Sequence, residues 1–293
     1  MARVAAAFLE AWSSRRGKRR GARNLICISF DQRNHGSRMI DNTSNVSWTQ
    51  GNATHGPDMF NTYSGTASDL SHLMTHIQSY LPHKIIENIA CGLSLGGHAT
   101  WQLLLGEPRI KAAIVVIGCP DYVRLMTDRA IRSKPPLATT QDSDPPGRNF
   151  LGSKDFPKTL IEAVEAYDPA GILLGELDTF TGDDHLHAPS QSEIKRLRPI
   201  MQQRLAGKKI LCLSGGKDKL VPYAQGEPFL SWLKKAVDKN GWCGDMGIEV
   251  EDVLDADARH EFSQKMRVEA ERWLCDLLGN EENDIRPARE SKL

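Results

Sequence analysis

Residues 88–106 constrain this chain more than any other stretch. The apolar run Asn88-Ile89-Ala90-Cys91 leads straight into Gly92-Leu93-Ser94-Leu95-Gly96-Gly97, and a helical pattern follows to about Gly106. A G-x-S-x-G pentapeptide between a strand and a helix is a sharp turn that holds its serine in a strained conformation and exposes the hydroxyl. Gly92 and Gly96 are expected to leave room for the strand-to-helix crossing, where a Cβ would clash. The helix start favours negative charge beside it. The Leu95 N–H is therefore the candidate oxyanion donor.

A serine hydroxyl is a weak nucleophile without a base, so a histidine is required. Nine are present: His35, His55, His72, His76, His83, His98, His185, His187 and His260. His260 fits best, because it follows the short strand predicted at Ile248-Glu249-Val250 and precedes Glu261-Phe262. His98, one turn into the helix after the elbow, reads as a packing or capping residue. His185 and His187 are loosely spaced with no partner motif, so they read as a solvated loop and no metal site is expected. The acid that orients the imidazole should follow the preceding strand. Asp218 stands in Gly215-Gly216-Lys217-Asp218, directly after Leu211–Leu213. Asp121, Asp255 and Asp257 remain alternatives for that acid.

The rest of the chain alternates strand-like and helical patterns, which predicts an α/β fold with a mostly parallel sheet flanked by helices. Leu25-Ile26-Cys27-Ile28-Ser29-Phe30 reads as a buried parallel strand. Residues 39–65 read as a long polar loop. A helix is predicted from Ser68-Asp69, with Leu70, Leu73, Met74, Ile77 and Leu81 on one face and Pro82 as its stop. Lys111–Ile117 is the most apolar strand candidate. Pro135-Pro136 and Pro145-Pro146-Gly147 then break the rhythm, and residues 120–207 read as an inserted helical cap. The expected organisation is a core over 1–119 and 208–279, the cap between them, and a flexible tail over 280–293.

Four features in this order resemble the α/β-hydrolase superfamily. They are Asp31-Gln32-Arg33-Asn34-His35-Gly36-Ser37-Arg38, which looks like its D-x-R-x-H-G-x-S turn; the Ser94 elbow; the Asp218 segment with its Val221-Pro222; and His260. The resemblance spans roughly residues 2–278. It implies the α/β-hydrolase fold, a Ser94-His260-Asp218 triad in the chain order Ser, Asp, His, and Arg33 and His35 bracing loops beside the site. It implies a serine hydrolase of the carboxylesterase or thioesterase type acting on a small-molecule acyl substrate without a cofactor. The rivals are a weakened accessory protein of the same fold and a serine peptidase with the same triad.

One departure stands out. The family has strands and a His-Gly oxyanion motif ahead of its first helix, whereas Met1 here begins at about that helix. The missing strand would lie between Leu25–Phe30 and Asn88–Cys91, so both lose backbone partners unless they close up. The expectation is an N-terminally short gene model or a truncated paralogue.

Composition narrows the class. Lys+Arg and Asp+Glu are both 37, and this zero net charge argues against a nucleic-acid binder. No apolar run is long enough to span a membrane. Cys27, Cys91, Cys119, Cys212, Cys243 and Cys275 are scattered, which suits buried free thiols in a reducing compartment. A helix around Val4–Trp12 is followed by an arginine-rich run. Glu10 and the position of that run count against an organellar presequence. The last residues, Ser291-Lys292-Leu293, form the S-K-L address that the peroxisomal import receptor reads. A peroxisomal hydrolase on fatty-acid-derived acyl groups is the resulting expectation. It is similar to hydrolases of fungal pathways that make host-selective toxins.

Overall fold

The computed structural model describes residues 1–17, 23–141, 144, 146–175 and 188–280. Its elements in chain order are α1 (Ala2–Arg16), α2 (His55–His76), β1 (Asn88–Leu93), α3 (Leu95–Gly106), β2 (Ile110–Val116), α4 (Tyr122–Arg132), α5 (Ala138–Gln141), α6 (Lys158–Tyr167), α7 (Pro169–Leu174), α8 (Gln191–Arg204), β3 (Lys209–Gly215), α9 (Tyr223–Val237), β4 (Glu249–Asp255) and α10 (Gln264–Asn280). The chain divides into two compact units, one of residues 32–262 and one of residues 1–31 with 263–293. No helix among the described residues is long and apolar enough to cross a membrane.

The larger unit holds a four-stranded sheet in the order β1-β2-β3-β4, parallel throughout. Burial follows from that order. In the central strands, Ala112–Val116 and Ile210–Leu213 are buried, whereas the edge strands β1 and β4 are half-buried. Each fully buried aliphatic side chain, such as Leu104 or Ile114, contributes roughly 2 kcal/mol. Helix α3 is enclosed from Gly97 to Leu105, which explains why it shows no polar face. Its C-terminal end is held by Lys208, whose buried Nζ donates to the carbonyls of Leu104 (2.5 Å) and Glu107 (3.0 Å). A cation is favourable at that end of a helix, although burial lowers this ammonium's pKa to about 8. Between β2 and β3 the regular elements among the described residues are all helices. An aromatic cluster ties that stretch to α2: Phe60, Tyr63, Tyr122, Phe150 and Phe156 meet edge-on or tilted.

A parallel sheet puts the C-terminal ends of all its strands on one side, where such folds place their ligands. Ser94 follows β1, Asp218 follows β3 and His260 follows β4.

In the smaller unit α1 packs on α10, and Arg15 Nη2 pairs with Asp276 Oδ1 at 2.6 Å. Phe8 and Trp12 are buried, and Trp12 Nε1 donates to the carbonyl of Arg23. The predicted strand over Leu25–Phe30 does not form: residues 23–30 carry no strand pairing, and Ile26, Ile28 and Phe30 are exposed. An apolar run becomes a strand only by pairing, and no described strand pairs with it. Helix α2 begins at His55, within the stretch expected to be a loop. The Ser291-Lys292-Leu293 tripeptide, on which the peroxisomal expectation rests, lies outside the described residues, as do His185 and His187.

Candidate active site

Ser94 links β1 to α3 with φ 56° and ψ −116°. A non-glycine residue there stores roughly 1–3 kcal/mol of strain, so its surroundings must hold it in place. Three bonds do so. Ser94 N donates to Val116 O at 2.9 Å, and the Ser94 carbonyl accepts from His98 N (3.1 Å) and His98 Nδ1 (2.9 Å). A carbonyl only accepts, so the His98 proton sits on Nδ1. Burial lowers the His98 pKa to about 4 and keeps the ring neutral. His98 thus braces the elbow from behind.

The crossing of β1 and α3 leaves no space for a Cβ at Gly92, where it would lie 2.0 Å from Gly96 O. Gly96 differs from expectation. A Cβ there meets only Gln32 Nε2, at 3.6 Å. The second close approach belongs to Gly97, whose Cβ would lie 2.8 Å from Val116 O and 2.9 Å from Gly118 Cα. The helix faces β2 one residue later than the pentapeptide suggests.

His260 Nε2 lies 2.9 Å from Ser94 Oγ, and His260 Nδ1 lies 2.8 Å from Asp218 Oδ2. Because a carboxylate only accepts, the proton belongs on Nδ1 and the Nε2 lone pair faces the serine. Asp218 Oδ1 accepts from the N–H groups of Leu220 (2.8 Å) and Val221 (3.0 Å). Burial pushes the Asp218 carboxyl up, but the His260 bond and the two backbone N–H groups outweigh it, and its pKa ends below the ordinary value. The loops that carry the acid and the histidine are tied together, since Gly216 N donates to Asp255 O and Lys217 N to Ala258 O. The Asp218 side chain is 0% exposed and that of His260 28%, so the acid is sealed and the base reaches solvent.

The other candidate acids are engaged elsewhere. Asp257 pairs with Lys217 at 2.6 Å, and Asp255 Oδ1 accepts from Asp257 N. Asp121 caps α4, accepting from Arg124 N at 2.9 Å. Burial lifts its carboxyl to about 6 from an ordinary 3.8. Between those values the folded protein holds a proton that the unfolded chain has released, so stability falls as pH rises through this window. Above it, the ionised carboxylate costs roughly 3 kcal/mol. Asp121→Asn keeps a capping oxygen and removes the titration. The variant is therefore expected to be more stable than wild type at neutral pH, with the gap closing as pH falls toward 4. Urea midpoints across that range check this; a constant or reversed gap overturns it.

Ser94, Leu95 and His260 line a cavity of about 500 Å³, together with His35, His55 and Arg129. Arg33 forks onto Asp69 of α2 (2.7 and 3.0 Å), pinning the loop that carries His35. Sequence reading missed His55 and Arg129. His55 falls in the presumed loop. Arg129 carried a readable signal: it lies three and four residues after Met126 and Leu125, a cation beside the buried stripe of α4.

No protein-family model matches the chain, and no curated protein sequence does either. Solved structures are similar at low identity. Arabidopsis thaliana SOBER1 aligns at 13% identity and a TM-score of 0.36, over 73% of this chain and 63% of that one. A Pyrococcus furiosus esterase aligns at 14% and 0.39, over 73% and 62%. The Pyrococcus horikoshii acylaminoacyl peptidase aligns at 15% and 0.41, over 77% of this chain and 29% of that one. The chain thus spans less than two thirds of each of these three structures.

Proposed function

We propose that this protein is a serine hydrolase that cleaves an ester or thioester of an acyl substrate. The observation that carries the reading is the continuous hydrogen-bonded line Ser94 Oγ, His260 Nε2, His260 Nδ1, Asp218 Oδ2, which opens into a cavity. Ser94 Oγ attacks the acyl carbonyl carbon while His260 Nε2 takes its proton. The carbonyl oxygen becomes an oxyanion beside the Leu95 N–H, one of the amides that the start of α3 leaves without an intrahelical partner. The tetrahedral intermediate collapses, the bond to the alcohol or thiol breaks, and His260 returns the proton to that leaving group. Water then attacks the acyl-serine, again deprotonated by His260, and the carboxylic acid departs. Asp218 stays ionised throughout and stabilises the imidazolium.

A fluorophosphonate probe tests this, because it phosphonylates only a serine activated in this way. Wild type is expected to label at Ser94, located by peptide mass mapping, and Ser94→Ala to lose the label. Folded wild-type protein that stays unlabelled, or labels at another residue, overturns the proposal.

A further inference from the structure

We propose that the acyl substrate carries a negatively charged group, a carboxylate or phosphate, which Arg129 binds inside the cavity with Lys134 and Lys219 beside it. This rests on the hydrolase reading and names its substrate class. Among the described residues that line the cavity, the charged side chains are Arg129, Arg132, Lys134 and Lys219, and none is a carboxylate. In a chain whose net charge is zero, that segregation is local and needs a cause.

Arg129 is the anchor. Its guanidinium is half-buried, yet no described carboxylate pairs with it. Nη1 donates to His55 Nε2 (3.1 Å) and sits 3.0 Å from Met59 Sδ; Nη2 donates to Leu220 O (2.8 Å). All three partners are neutral. Because Nη1 can only donate, His55 Nε2 is the unprotonated nitrogen, and burial followed by the Arg129 charge lowers the His55 pKa to about 4. The imidazole therefore orients the guanidinium without neutralising it. Several other arginines are paired with carboxylates: Arg33 and Arg38 share Asp69, and Arg132, which also lines the cavity, is paired with Asp128. A charge drawn from water and left without a counter-charge is costly. An anionic ligand removes that cost, and guanidinium is shaped to grip carboxylate or phosphate with two parallel bonds. Arg129 also touches Leu220, whose N–H holds Asp218, so the anion site adjoins the loop that carries the acid.

The test compares p-nitrophenyl esters of equal reach, the glutarate half-ester and the neutral pentanoate, with an acyl-coenzyme A as the phosphate-bearing arm. Wild type is expected to favour the charged ester in kcat/KM by about ten-fold or more, the usual scale of a hydrogen bond to a charged group. Added salt should erode that preference. Arg129→Gln should bring the ratio near one, and Arg129→Lys should restore part of it; a purely structural role would lower both rates and leave the ratio alone. The double variant Lys134→Met/Lys219→Met should flatten the salt dependence. A wild-type ratio at or below one, for both anionic arms, overturns the proposal. The two readings fail separately. If no ester turns over, calorimetric titration of glutarate decides: binding lost in Arg129→Gln upholds the anion site without the hydrolase, and no binding to wild type overturns the site.

Discussion

Asp218→Asn is expected to lower kcat by about 10⁴-fold while leaving the protein folded. Asp218 Oδ1 is occupied by two backbone donors, the N–H groups of Leu220 and Val221. An asparagine must keep its oxygen there, because its NH₂ cannot accept. The NH₂ then faces His260 Nδ1, where Asp218 Oδ2 now accepts at 2.8 Å. A donor at that point forces Nδ1 to be the acceptor and moves the imidazole proton to Nε2. With a proton already on Nε2, His260 cannot take one from Ser94 Oγ, although the distance between them is unchanged. Steady-state ester hydrolysis measures the loss, and near-ultraviolet circular dichroism checks the fold. A loss below ten-fold in a folded variant means another group orients the histidine. Asp121→Asn is the control, since Asp121 is occupied with the start of α4, and its rate should match wild type.

Much of this arrangement was legible because it is local. The elbow is six residues long, and its strand, glycines and helix are contiguous. Ser94, Asp218 and His260 could be placed in order because each follows a predicted strand by ten residues or fewer, and a parallel sheet gathers the C-terminal ends of its strands on one side. What was illegible depends on partners distant in the chain. Leu25–Phe30 has the composition of a strand, but pairing is decided elsewhere, and the run stays unpaired. His55 opens α2 in a stretch rich in Asn, Thr and Gly, where its burial against Trp48 overrides a loop-like composition. The displacement of the second close approach from Gly96 to Gly97 turns on how α3 faces Gly118, which spacing alone does not state. Arg129 is intermediate. Its position beside a buried stripe could be read, but not that no described carboxylate pairs with it.

The glycines of the elbow give the sharpest structural contrast. A Cβ at Gly92 would lie 2.0 Å from Gly96 O, 2.3 Å from Gly96 C and 2.5 Å from Thr100 Oγ1. Two of those atoms are backbone, so no rotamer change relieves the overlap. Thr100 Oγ1 also donates to Gly96 O at 2.8 Å, which ties the third atom to the same place. Relief requires the first turn of α3 to move away from β1, and that turn carries both Ser94 and the Leu95 N–H. Gly92→Ala is therefore expected to cost about 3 kcal/mol of stability, the upper end for overpacking by one methyl. It should also lose about 10²-fold in kcat, the scale for a reacting group displaced by about 1 Å. Gly96→Ala, at the other end of the pentapeptide, meets only the end of the Gln32 side chain. It should fold normally and gain up to about 1 kcal/mol from the better helix former. Urea denaturation and hydrolysis rates of the two variants, measured together, decide the matter. If Gly92→Ala proves as stable and active as Gly96→Ala, the elbow is not fixed by the β1–α3 crossing, and the strain at Ser94 must be held by the bonds to Val116 and His98 alone.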